Sequence, residues 1–270
     1  MKNAITTFQR TVWQHYRTHG RHTLPWRKTK DPYKILVSEV MLQQTQVERV
    51  IPFYKNFLTR FPDIVTLASA PLSDVLVAWQ GLGYNRRAKM LHETAKAAVK
   101  EHGGTLPKGK DALVRLPGIG PYTAGAVSAF AHNEDGIFIE TNIRTVITHH
   151  FFPKKKAVSD AEILRILTKA YPKGKAREWY AALMDYGAHL KSSGIRINAK
   201  SKHYTKQKTF KGSDREMRGM ILRALSTGGK SKTALMRANP LRKNQCATQL
   251  DALVAEGLVT KHGTLFTLPK

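Results

Sequence analysis

The sequence predicts an all-α protein followed by a small winged-helix-like unit, and two observations predict it. Through the first 190 residues apolar side chains recur mainly at helical spacing, with few convincing strand alternations. After Gly212 the pattern becomes three short helical stretches and a terminal pair of apolar runs around a turn.

Each element has its own warrant. Ile35, Val37, Val40, Met41, Val47 and Ile51 form one apolar face, and Ser38 to Glu48 contains neither Pro nor Gly, so one helix is expected to run through that stretch. Pro71 to Trp79 reads as a helix with proline in its first turn. Arg86 to His102 reads as another, stopped by Gly103-Gly104. Asp111 to Leu116 and Tyr122 to Ala131 flank a Pro-Gly-Ile-Gly turn, and Glu162 to Ala170 and Ala176 to Lys191 continue the helical pattern. From Lys191 to Lys211 there are seven Lys or Arg and no acid, which reads as a basic loop or linker.

In the last segment, Ser213 or Asp214 can cap a helix running to Leu225. Helices near Ser231 to Arg237 and Lys243 to Ala255 follow. Then Leu258-Val259-Thr260 and Leu265-Phe266-Thr267 form a hairpin about a Lys261-His262-Gly263 turn. A unit this small is marginal alone and is expected to dock on the rest. The expected division is therefore 1–190, 191–211 and 212–270. Lys230, Lys232, Arg237, Arg242 and Lys243 give this unit a basic first half, with Lys261 and His262 at the expected wing tip. Met217, Ile221, Leu225, Leu250 and Leu253 are its candidate buried residues.

Composition narrows the function. The chain has 270 residues, with 45 Lys and Arg against 19 Asp and Glu, a net charge of +26. That excess points to a polyanionic partner, nucleic acid before an anionic membrane surface. At 41% hydrophobic residues the chain can bury a core. The single Cys246 excludes a disulfide framework, a cysteine-rich zinc site and a four-cysteine iron–sulfur cluster within one chain. No metal-ligand spacing is present. No apolar run approaches the roughly 20 residues of a membrane span, and Met1 to Arg10 lacks the apolar core of a signal peptide. A soluble, cytoplasmic protein is expected, nucleoid-associated if bacterial.

The strongest local signal is Leu116-Pro-Gly-Ile-Gly-Pro-Tyr-Thr-Ala124. Gly118 and Gly120 permit positive φ and close backbone approach. The following helix begins with N–H groups and a positive dipole end suited to phosphate. This is the logic of a helix-hairpin-helix that grips a DNA backbone without reading bases.

Together with Leu24-Pro25-Trp26-Arg27, Ser38-Glu39-Val40-Met41-Leu42-Gln43-Gln44-Thr45-Gln46-Val47 and Gly81-Leu82-Gly83-Tyr84, this hairpin makes the chain resemble the helix-hairpin-helix DNA glycosylases. Within them it is most similar to the A/G-specific adenine (MutY-type) glycosylases. The resemblance covers about Leu24 to Leu190 and implies two helical subdomains with DNA and active site between them. The target base is extruded from the stack before its N-glycosidic bond is cut.

The resemblance implies roles residue by residue. Glu39 matches the general acid that protonates the adenine ring nitrogen, a task needing a carboxyl kept protonated near neutral pH by an apolar surrounding. Glu140, in Ile139-Glu140-Thr141-Asn142, stands where the family normally has Asp, and would stabilise the oxocarbenium-like sugar. Its charge sits one methylene further out, and a misplacement of about 1 Å can cost ~10²-fold in rate, so either the backbone retreats or activity is altered. Asn142 matches the asparagine supporting that carboxylate. Tyr122 stands where bifunctional members carry a lysine, and a phenol cannot form a Schiff base, which implies a monofunctional enzyme. Gln43, with Gln44 beside it, matches the wedge at the extruded site, and Tyr84 its aromatic partner. Arg86 and Arg87 would contact phosphates, as would Gly118, Gly120 and Thr123 of the hairpin. Trp26 and Arg27 would lie near the base pocket.

Two departures accompany the match. The family's four cluster cysteines are absent, so no iron–sulfur cofactor is expected. Its 8-oxoguanine-recognition domain is not expected in this sequence, where the winged-helix-like unit is expected in its place. The implied function is a monofunctional glycosylase, most simply of adenine opposite 8-oxoguanine or guanine, in base excision repair. Its implied partner is double-stranded DNA holding a mispair or lesion, with no membrane, and the protein is expected to be a monomer. The alternatives are a thymine or uracil mismatch glycosylase, and a DNA-binding protein of this fold without productive catalysis. Glu39 favours a purine, because a purine ring nitrogen needs an acid.

Overall fold

Local chemistry sets many of the element ends in the computed structural model, which describes residues 2–195, 197 and 209–270. The helices are α1 (Lys2–His19), α2 (Pro32–Leu42), α3 (Val47–Arg60), α4 (Ile64–Ser69), α5 (Leu72–Ala78), α6 (Arg86–His102), α7 (Lys110–Val114), α8 (Pro121–His132), α9 (Thr141–Phe151), α10 (Asp160–Ala170), α11 (Ala176–Ser192) and α12 (Asp214–Leu225). Then come β1 (Lys230–Ser231), α13 (Lys232–Arg237), α14 (Lys243–Ala255), β2 (Thr260–His262) and β3 (Leu265–Thr267). Among the described residues the regular structure is thus mainly helix, with one small sheet.

Asp63 caps α4 by accepting the Thr66 N–H at 2.7 Å. Ser159 and Glu162 form a reciprocal capping box on α10. Ser213 and Ser231 cap α12 and α13. Gly103 and Asn133 end α6 and α8 in the left-handed conformation.

One expected helix does not form. The stretch from Ser38 to Glu48 is broken: α2 ends at Leu42, α3 begins at Val47, and exposed Gln44 between them has φ +55°. The cause is tertiary. The Arg87 guanidinium sits on the carbonyls of Val40, Met41 and Gln43 and terminates α2 there.

The chain divides into two units, with α2 passing from the first into the second. The first comprises residues 1–36, 108–115 and 119–206. Its centre is α11, which packs on α1, α8 and α9. Trp179, Tyr180 and Leu183 of α11 are fully buried. Gly187 lets α9 approach: a Cβ there would lie 2.6 Å from the Asn142 Cβ and carbonyl.

The second unit comprises 37–107, 116–118 and 207–270. Here α6 packs on α4 and α5 over a core that includes Phe57, Leu67 and Trp79. The C-terminal segment belongs to this unit. Its helix α12 packs on α14, and β1, β3 and β2 form an antiparallel sheet in that order, with buried Phe266 opposite both Lys230 and Lys261. Met217, Ile221, Leu225, Leu250 and Leu253 are all buried. The segment is docked by the Lys89 Nζ, which donates to the Glu256 carbonyl at 2.6 Å, and by the Ser73 N–H on the Pro269 carbonyl at 2.8 Å.

The hairpin turn lies later than expected. Lys261 and His262 are strand residues of β2, and the reversal falls on Gly263-Thr264, where Gly263 supplies φ +60°. Most of the basic stretch expected at 191–211 lies outside the described residues. No helix among the described residues is long and apolar enough to cross a membrane.

Candidate nucleic-acid and catalytic site

Glu140 is the N-cap of α9, and its longer side chain is accommodated there. The usual N-cap residues have short arms. Here extended backbone at Glu140 lets Oε1 fold back to accept the Ile143 N–H at 2.9 Å, while Oε2 accepts from Asn142 Nδ2 at 3.2 Å. Asn142 is held in turn by Lys191 of α11, whose Nζ donates to its Oδ1 at 2.6 Å. The three side chains therefore form a chain: ammonium, amide, carboxylate. Burial pushes the Glu140 carboxyl above its ordinary range, against the backbone N–H groups of Asn142 and Ile143 and the charges of Lys191 and Arg144. Burial likewise draws Lys191 below the usual lysine range, against the attraction of Glu140. Arg144 is itself engaged by Asp160 through two bonds of 2.9 and 2.7 Å.

The hairpin has one glycine explained by the fold and one that is not. Gly118 has φ +75°, and a Cβ there would lie 2.5 Å from the Met90 Cβ. Gly120 has an ordinary φ of −85°, and a Cβ on it would meet nothing within 4 Å among the described residues. Both glycines are exposed, and α8 begins directly after them at Pro121. Tyr122 packs edge-on to Phe138 with centroids 5.8 Å apart. Thr123, in the first turn of α8, is only 3% exposed, unlike the glycines before it.

In the second unit, Glu39 lies on α2 and is only 4% exposed. It is followed by the irregular turn carrying Gln43 and Gln44. Tyr84 sits on a second irregular turn, with φ of +99°, +75° and +50° at Gly81, Gly83 and Tyr84. Left-handed backbone at a non-glycine residue is uncommon, and Gln44 and Tyr84 both adopt it. Arg86 is exposed at the start of α6.

Arg87 is the principal correction. The motif match puts it on a phosphate, but its guanidinium points into the protein. Nη1 donates to the carbonyls of Val40, Met41 and Gln43 at 2.7, 3.0 and 2.7 Å, and Nη2 to the Gly83 carbonyl at 3.1 Å and the Thr45 hydroxyl at 3.3 Å. It thus ties the Gln43 turn to the Tyr84 turn. The Gly81 carbonyl is also held, by Arg49 of α3.

Trp26 is buried, and Arg27 pairs with Asp185 of α11 at 3.3 Å beneath the Phe130 ring. Asp185 is 3% exposed and also binds Arg21, through both its main-chain N–H and its guanidinium. In the C-terminal segment two of the expected basic residues are paired, Lys232 with Asp251 and Arg242 with Glu216.

Within the first unit, then, the fold brings together Glu140 and Asn142 with Lys191, which the sequence did not single out. Within the second it joins the turns of Gln43 and Tyr84 through Arg87. Gly187 was also missed, although a glycine inside a long helical pattern is a signal of close packing.

The family model of HhH-GPD superfamily base excision DNA repair proteins matches residues 37–173. The chain is 34% identical over 269 residues to an adenine DNA glycosylase of Mycolicibacterium smegmatis, covering 89% of each protein. It is 38% identical over 185 residues to an adenine DNA glycosylase of Buchnera aphidicola subsp. Baizongia pistaciae, covering 67% of this chain. It spans only 52% of that relative's length. Among solved structures, a thermostable thymine-DNA glycosylase is similar with TM-score 0.61 and 27% identity, over 69% of this chain and 87% of that one.

Proposed function

Because this chain belongs to the HhH-GPD superfamily of base excision DNA repair proteins, we propose that it is a monofunctional DNA N-glycosylase. In this reading it removes adenine mispaired with 8-oxoguanine or guanine from double-stranded DNA. The observation that carries the reading is the Glu140–Asn142 pair at the start of α9, a partly buried carboxylate with both oxygens engaged.

The chemistry divides between two carboxyl groups. Glu39 gives a proton to the extruded adenine, making the base a better leaving group. As the bond breaks, positive charge grows on the sugar, and the fixed carboxylate of Glu140 stabilises it. Asn142 orients that carboxylate. Folding back into the cap shortens the reach of the glutamate, which offsets its extra methylene. Tyr122 has no amine and cannot form a Schiff base with the sugar, so in this reading water receives it. The net charge of +26 draws the duplex, and the open Gly120 and first turn of α8 take a phosphate. Gln43 and Tyr84 fill the space the base leaves.

An iron–sulfur cluster does not fit these residues. The chain has one cysteine, Cys246, buried on α14, and such a cluster needs four thiolates. Hydrolysis by the two carboxyl groups is complete without one.

The likeness to a thymine-DNA glycosylase favours a second reading, removal of thymine from a G·T mispair. A panel of duplexes holding A·G, A·8-oxoguanine, G·T and G·U pairs separates the two. Release of adenine alone, abolished by Glu39→Gln with binding kept, supports the first. Release of thymine or uracil, insensitive to Glu39→Gln, supports the second. Binding without release of any base sinks both.

A further inference from the structure

Tyr84 is held by two cations, and one comes from the C-terminal segment. Arg87 of α6 lies 5.5 Å from the ring centroid. Arg215, in the first turn of α12, lies 5.1 Å from the same centroid, and its Nη1 donates to the phenol oxygen at 3.0 Å. A guanidinium over the ring and on the hydroxyl together restrains both the tilt and the direction of a phenol.

Arg215 is mounted on a helix held at several points. Ser213 caps α12. Arg218, on the same helix, forms a two-bond pair with Glu256 at 2.9 and 2.6 Å, and Arg242 pairs with Glu216 at 2.7 Å. The Glu256 carbonyl in turn accepts from Lys89, on α6. Docking is therefore secured at Lys89 without Arg215, which reaches past the docking contact to the one aromatic side chain of the Gly81–Tyr84 turn.

We infer that Arg215 is a positioning residue for Tyr84, through which the C-terminal segment takes part in sensing the base pair at the extruded site. The inference rests on the proposed reading of Tyr84 as the stacking residue. Loss of the guanidinium frees the ring in a left-handed turn, and the base is then extruded less often.

The test uses the full chain and a duplex with 2-aminopurine opposite guanine, whose fluorescence rises when the probe leaves the stack. Arg215→Met keeps the stem and removes the guanidinium. It should lower the fluorescence gain at saturating protein about tenfold, as expected for loss of one hydrogen bond from a charged donor. The preference for the mispaired over the fully paired duplex should fall with it. Arg215→Lys should recover part of both. In a Tyr84→Ala background Arg215→Met should add nothing, since the two act as one unit. A merely structural Arg215 would lower thermal stability and weaken both duplexes equally, whatever stands at position 84, and that result overturns the inference. So does an unchanged fluorescence gain in Arg215→Met. An unchanged gain in Tyr84→Ala overturns the assignment of Tyr84 and the inference with it. The glycosylase reading fails separately, if wild type extrudes the probe but releases no base from any mispair.

Discussion

Replacing Arg87 with methionine should destabilise the protein by about 4 kcal/mol, and the figure comes from its bonds. The side chain satisfies four carbonyls, those of Val40, Met41, Gln43 and Gly83. A carbonyl left without a donor costs about 1–3 kcal/mol where water cannot replace it. The low end applies because the site is only partly buried, giving about 1 kcal/mol for each. Burial lowers the pKa of Arg87 to about 10, so the group remains charged at neutral pH. Methionine keeps the stem beside Trp79 and removes the donors. For a chain of this size the loss corresponds to a fall in Tm of about 8–16 °C. Urea unfolding followed by circular dichroism measures it directly. DNA affinity against salt supplies the control. A loss under about 1 kcal/mol, together with a salt slope reduced by about 0.9, would refute the inward role and return Arg87 to a phosphate.

Three further outcomes follow from the same geometry. Gly187→Ala should lose most base release with DNA affinity nearly kept, because its Cβ would lie 2.6 Å from Asn142 and must push α9 away; full activity in a single-turnover assay would contradict the α9–α11 packing. Lys191→Met removes a charge that opposes the burial of Glu140, so the Glu140 pKa should rise further and the acid limb of the rate profile should move to higher pH. Lys191→Arg should leave the limb in place, and superposed profiles for wild type and Lys191→Met would exclude the coupling. Burial lowers His150 from 6.5 to about 4, so the folded state binds fewer protons than the unfolded; stability should fall as pH drops from about 6.5 to 4, and His150→Phe should flatten that part of a Tm–pH curve.

Much of the fold was legible because local signals agreed with it. Gly103 ended α6, Ser213 opened α12, and the helical spacing of apolar residues marked α11 and α14. What could not be read was set at a distance. The break after Leu42 depends on a guanidinium 47 residues away from Val40, and Gln44 carries no local turn signature. Arg86 and Arg87 are the same residue type on neighbouring positions, and only the phase of α6 decides which faces solvent and which faces α2. Strand β1 is two residues long and exists through pairing with Phe266 and Leu265. At the site, motif matching singled out Glu140 and Asn142, but Lys191 joins them from 49 residues beyond Asn142. Thr123 sits within a legible motif, yet α8 buries it because that helix is enclosed over most of its surface.

The proposed catalysis turns on the carboxylate of Glu140, and base release under single-turnover conditions measures it most directly. Glu140→Gln keeps an oxygen for the Ile143 N–H and so keeps the cap, while removing the charge. Glu140→Asp keeps both, since aspartate is a favoured N-cap. The prediction is a loss of at least about 10²-fold in Glu140→Gln at unchanged DNA affinity, with Glu140→Asp as active as wild type or more so. Equal rates of adenine release from wild type and Glu140→Gln would contradict it.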